Sequence, residues 1–132
     1  MNSEAIFCCN CNEWVNAKAV PASHVYPKRH DLQGKIYLQC PTCSGTVGAH
    51  RDGRPLGCIP TPAVRSMRIT IHDRIRGIVG DRRLTTCLVY RYLSGCIGQE
   101  YHTGNIKSVE EADKILNLLS DLYFSLYEEA HE

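Results

Sequence analysis

The side chains with the sharpest chemical meaning are four cysteines in two pairs, Cys8 with Cys11 and Cys40 with Cys43. Each Cys-x-x-Cys forms a knuckle that aims two thiolates at one point. Two knuckles therefore supply the four soft ligands that zinc prefers in a tetrahedron. A closed set of four thiolates leaves no position for water, so the expected centre is one structural Zn2+ that contributes folding free energy rather than turnover. An iron centre or unliganded thiols are the competing readings of the same spacing. Cys9 leaves a local ambiguity, because Cys9-x-Cys11 is also a pair, although the two-residue spacing favours Cys8.

A second constellation is looser. His50 follows the second knuckle, His72 and Asp73 sit together in an apolar-periodic stretch, and His102 lies between two such stretches. Three histidines and a carboxylate from separate elements would make a second metal or general-base site if the fold gathered them, and the chain would then be a small metal-dependent hydrolase or nuclease. Histidines outside a motif more often satisfy a local partner. No serine, threonine or cysteine stands in a nucleophile setting, and Gly53 to Gly57 lacks the lysine and Ser/Thr of a phosphate loop, so an enzyme is the weaker reading.

The third candidate is cationic. Net charge is only +1, yet eight arginines against three aspartates from Arg51 to Arg83 leave +5, and seven acids against one lysine from Glu110 to Glu132 leave −6. Arg65, Arg68, His72 and Arg76 fall on one helical face, with Arg51, Arg54, Arg82 and Arg83 nearby. A guanidinium fork pairs with phosphate oxygens and reads guanine edges, and Tyr90, Tyr92 and Tyr101 would stack on bases. A solvated helix side, ion-paired in part with the acidic tail, competes equally with that reading.

The elements that must position these groups follow from pattern. Residues 1–50 read as short strands and turns: Lys35 to Gln39 alternates like a strand and delivers the chain into Cys40, Ser44-Gly45 makes a turn, and Thr46 to His50 returns. Arg51 to Pro62 is a Gly- and Pro-rich loop. A first helix starts at Thr61-Pro62, buries Val64, Met67, Ile71, Ile75 and Ile78, and ends at Gly77 and Gly80. A second runs from about Arg83 to Leu93 on Leu84, Cys87, Leu88 and Tyr92, with Gly95 and Gly98 as breaks. Ser108-Val109-Glu110-Glu111 matches a capping box and opens a third helix on Ala112, Ile115, Leu116, Leu119, Leu122, Tyr123 and Leu126. The expected fold is α+β: an N-terminal zinc ribbon of short antiparallel hairpins with two knuckles, packed with a three-helix C-terminal part. A single domain over 1–132 is expected, divided at 57/58.

Composition bounds the rest. With 43% apolar and 22% charged residues over 132 positions the chain is long enough for an ordinary core. Nothing approaches the roughly 18 to 20 apolar residues of a membrane span, and no basic-then-apolar leader opens the chain, so a cytoplasmic protein without a membrane partner is expected. Eight cysteines without an export signal argue for metal ligation over disulfides, with Cys58, Cys87 and Cys96 read as core fillers.

Tyr26-Pro27, Asp31-Leu32, Cys40-Pro41-Thr42-Cys43, Val47-Gly48-Ala49-His50, Arg54-Pro55-Leu56-Gly57, Arg68 with His72-Asp73, and His102-Thr103-Gly104 together resemble a family of small zinc-finger-containing proteins of unknown function found largely in phage and prophage genomes. The similarity covers Cys8 to about Leu116. It implies one zinc held by Cys8, Cys11, Cys40 and Cys43, host-cell cytoplasm as the place of work, and no established activity. An aromatic residue of the family pattern beyond His72-Asp73 is missing after Ile75.

The leading expectation is a zinc-ribbon binding protein of phage type that contacts nucleic acid, or a host or phage protein that processes it, through the arginines at 51, 54, 65, 68 and 76. A host-directed interaction or inhibitor protein is the alternative, favoured by the charge separation.

Overall fold

A computed structural model describes residues 3–82 and 84–130. Four strands come first: β1 (Ser3–Cys8), β2 (Glu13–Pro21), β3 (Ile36–Gln39) and β4 (Thr46–Gly48). A one-turn helix, α1 (Ala22–Val25), interrupts them between β2 and β3, and three longer helices follow: α2 (Pro62–Arg82), α3 (Thr86–Ile97) and α4 (Val109–Ala130). The α+β class expected from sequence is the class found. The chain divides into two compact units, Met1–Pro62 and Ala63–Glu132.

In the first unit the strands form one antiparallel sheet in the order β1-β2-β3-β4. An up-and-down sheet places alternate turns at the same end, so the β1–β2 and β3–β4 turns, which carry the two Cys-x-x-Cys knuckles, meet there. Period-2 alternation sets the inner face: Ile6, Cys8, Ala17, Leu38, Cys40 and Val47 are buried with Ile59. The stretch after β4 is more ordered than a loop reading implied. It doubles back along β4 through Leu56 N to Gly48 O (2.9 Å) and an Ala49–Pro55 bridge, turning on Gly53 at φ 93°, and then passes Ile59 beside the end of β1. Cys9 N donates to Ile59 O (2.8 Å), and Ile59 N donates to Phe7 O (2.9 Å).

The second unit closes around Val64, Ile71, Ile75, Ile78, Val89, Leu93, Tyr101, Ile106, Ala112, Ile115 and Leu119. α2 corrects the expected helix end, for it runs on through Gly77 and Gly80 to Arg82. Both glycines face open space, and the buried Ile78 between them holds the turn; its burial outweighs the ~1 kcal/mol that each glycine costs a helix. α3 is displaced too. It spans Thr86–Ile97 rather than about Arg83 to Leu93 and runs through Gly95; Thr85 caps it by accepting from Leu88 N (3.1 Å), and Gly98 ends it in the left-handed conformation at φ 76°. Arg83 lies outside the described residues.

That start moves the buried stripe of α3 to Val89 and Leu93, and leaves Cys87 and Leu88 exposed. α4 begins as the capping box required, with Glu111 N donating to the Ser108 hydroxyl (3.1 Å). The Glu111 carboxylate, however, accepts from Lys107 N (3.4 Å). No helix among the described residues is long and apolar enough to cross a membrane.

Candidate metal centre

β1 ends on Cys8, its turn carries Cys11, and β3 delivers the chain into Cys40 just before Cys43. Positive φ at Asn12 (56°) and Ser44 (65°) closes the two knuckles. The result is a set of four sulfurs all within 4.8 Å of one another, the one such group of three or more His, Cys, Asp or Glu ligand atoms among the described residues. Cys8 Sγ lies 3.5 Å from Cys43 Sγ, and Cys11 Sγ lies 3.8 Å from Cys40 Sγ. A zinc tetrahedron with Zn–S bonds of about 2.3 Å has S–S edges of about 3.8 Å, so the spacing fits the ion.

The thiol electrostatics point the same way. Burial pushes the Cys11 thiol up to about 12, with the neighbouring Cys40, Cys43 and Cys8 sulfurs adding to it. Burial also raises Cys8. At Cys40 burial acts upward, but the backbone N–H groups of Cys43 and Thr42 donate to its sulfur and bring it to about 7. Four thiolates this close repel one another unless a cation sits among them, which is what a divalent ion supplies. Gly45 N (3.4 Å) and Asn10 Nδ2 (3.7 Å) donate to Cys43 Sγ, an outer shell that orients the ligand. Gly45 is also a tight fit, since a Cβ there would stand 3.0 Å from Asn10 Nδ2 and from Ile59 Cγ2. The four cysteines thus fit one structural Zn2+ site with no open coordination position.

Cys9, the ambiguous neighbour, points elsewhere. Its sulfur lies 3.9 Å from that of buried Cys58. Of the three cysteines expected to fill core, only Cys58 does so, whereas Cys87 and Cys96 are exposed.

Within the second unit His72, Asp73 and His102 form no group of close ligand atoms among the described residues. His50 is exposed in the first unit, where its backbone N–H donates to Arg54 O (2.8 Å). His72 and Asp73 are exposed on α2; burial lowers the His72 pKa and Arg76 lowers it further, against the opposing pull of Asp73. His102 pairs with Glu100 at 3.3 Å, both largely exposed.

The arginines divide by role. Arg68 reaches from α2 to the turn before α4, donating to Ile106 O at 2.7 Å. Arg76 is exposed and pairs with Asp73, Arg74 is exposed, and Arg65 is half-buried. Arg54 pairs with Asp52 at 2.7 Å and Arg51 is exposed, both in the first unit. The Arg82 side chain lies outside the described residues, as Arg83 does. Tyr101, one of the proposed stacking aromatics, is buried and shares the Thr103 hydroxyl with Tyr90, at 2.8 Å and 3.3 Å.

One surface aromatic belongs to no motif in the sequence. Trp14 is 69% exposed and meets Phe7 edge to face, with centroids 5.9 Å apart. Its only sequence signal is the period of two, since Val15 and Ala17 turned inward put Trp14 outward.

A family model described as a zinc-finger-containing domain matches residues 4–121. No curated protein and no solved structure matches the chain.

Proposed function

The chain belongs to the zinc-finger-containing domain family, and on that premise we propose that it is a small zinc-held binding module of phage type that contacts nucleic acid. The zinc does no chemistry on this reading. It fixes the first unit, and the arginines of α2 supply the cations in the second, Arg65 and Arg76 on one side of the helix and Arg74 on the other, beside α4. The observation that carries the reading is α2 itself, where Arg74 and Arg76 are exposed and Arg65 half-buried. Arg76 shares Asp73 only in an exposed ion pair, which is weak enough to yield to a phosphate. Arg68 enters the reading as the tether of the 103–106 turn rather than as a phosphate contact. Phage origin and work in host cytoplasm belong to the same proposal, supported by the sequence resemblance.

The test is binding of fluorescently labelled single strands and duplexes across a salt series. Affinity is expected at low salt, falling with log salt by close to one unit of slope for each phosphate contacted. Combined Arg65→Glu, Arg74→Glu and Arg76→Glu substitutions should cut it at least tenfold. Failure of every nucleic acid to bind at low salt ends the direct reading and turns the search to proteins that process nucleic acid, or to a host-directed inhibitor. Unchanged affinity in the triple variant moves the site off α2.

A further inference from the structure

The sheet of the first unit has a second face. Register pairs Phe7 with Trp14, Ala5 with Asn16 and Lys18 with Gln39, so these residues stand in rows opposite the buried set of Ile6, Ala17 and Leu38, while Thr46, the next in the Lys18–Gln39 row, is itself buried. Trp14, Asn16 and Lys18 follow one another on this face of β2, all exposed. The Phe7 ring meets the indole at 77° and so fixes it from the side, while more than two thirds of Trp14 stays open. Among the described side chains of the strands, the outward positions hold one lysine, two amides (exposed Asn16, and Gln39, whose Nε2 donates to Ser44 O at 3.3 Å) and no carboxylate, because Glu13 falls on the other register.

An open indole with an amide beside it and a cation farther along the strand is what an unpaired strand requires: a π-surface to stack on, a group that hydrogen-bonds a base edge, and a positive charge for the backbone. A base inside a duplex has its faces already covered by its neighbours. We propose that the Trp14 face of the sheet binds single-stranded nucleic acid, with Trp14 stacking on one base, Asn16 facing its edge, and Lys18, about 13 Å along the strand, meeting a phosphate. The assignment rests on the nucleic-acid reading above and adds to it a strand preference and a second surface.

Trp14 is the sole tryptophan of the chain, so intrinsic fluorescence reports this surface directly. The zinc-loaded full chain is titrated with a ten-nucleotide RNA, the matching DNA strand and the corresponding duplex, in parallel with anisotropy of the labelled strands. Single strands should quench Trp14 and duplex should not, with the RNA and DNA arms showing which backbone is preferred. Trp14→Ala should weaken single-strand binding about tenfold to a hundredfold, Trp14→Phe should restore most of it, and Lys18→Gln should lower the salt slope by about one. Equal zinc content in each variant certifies the fold.

Single-strand and duplex affinities that are equal and indifferent to Trp14→Ala overturn this inference and leave the α2 reading standing. Absence of all binding overturns both. Quenching that follows protein concentration without nucleic acid makes the face a contact between copies and also overturns it.

Discussion

In the N-terminal unit the core cluster is Ile6, Cys8, Ala17, Leu38, Cys40, Val47 and Ile59, with Ala22, Thr46 and Cys58 buried outside it, and two of its seven members are metal ligands. In the helical unit the core cluster has eleven members, all apolar but for the hydroxyl of Tyr101, with Thr103 also buried. The strands have room for little more, since β3 and β4 together span seven residues. A sheet with so small an apolar face sits in the size range where a core alone is marginal and a metal supplies the missing stability. Three long helices with i, i+4 stripes have no such need. The knuckles therefore belong where the core is thinnest, and the difference teaches that zinc here replaces side chains rather than assisting them.

The largest effect expected from breaking that contrast is at Cys40. Cys40→Ser leaves three thiolates and an incomplete tetrahedron, and the zinc whose binding carries on the order of 10 kcal/mol of folding free energy is lost. Elemental analysis should find no metal, and the β signals should collapse while helicity persists. A Cys40→Ser protein that keeps the sheet without metal would contradict the contrast.

The mirror experiment is Leu93→Ala, which opens a cavity at a site with no solvent exposure. It should destabilise the helical unit by about 2–5 kcal/mol in denaturant melts and leave zinc at one equivalent. Loss of zinc in that variant would mean that the two units stand or fall together.

Arg68→Met is expected to act on a smaller scale. It removes the donor to Ile106 O and costs about 1–3 kcal/mol, read as faster amide exchange in the 101–106 segment. Exchange unchanged there would remove Arg68 from its role as a tether.

Alkaline pH gives the smallest and most local test. Burial foremost pushes the Tyr101 pKa up to about 12, so folding favours the protonated phenol. The stability it contributes is complete below the unfolded value of about 10 and is lost as pH rises from there through about 12. Tyr101→Phe should flatten the fall of helical stability between pH 10 and 12, and an identical profile in both proteins would contradict it.

Much of this contrast was legible in the sequence, for physical reasons that differ by element. The metal centre was readable because Cys-x-x-Cys spacing encodes geometry locally, and the inner stripe of α2 and α4 was readable because burial repeats every three to four residues. The end of α2 and the start of α3 were not, because local glycine propensity at Gly77 and Gly80 was overridden by the burial of Ile78, and Thr85 took the cap. Arg68 looked like any other arginine on its face, and only the fold reveals that its guanidinium meets a backbone carbonyl 38 residues away. The exposure of Trp14 depended on strand register, which no short motif specifies.

Hydrogen exchange of the full chain, with and without a zinc chelator, tests the central claim most directly. The account predicts that amides of β1 to β4 and of Cys9 and Ile59 lose protection when the metal is withdrawn, while those of α2, α3 and α4 keep theirs. Protection of the strands unchanged by chelation, or lost from strands and helices together, would contradict it.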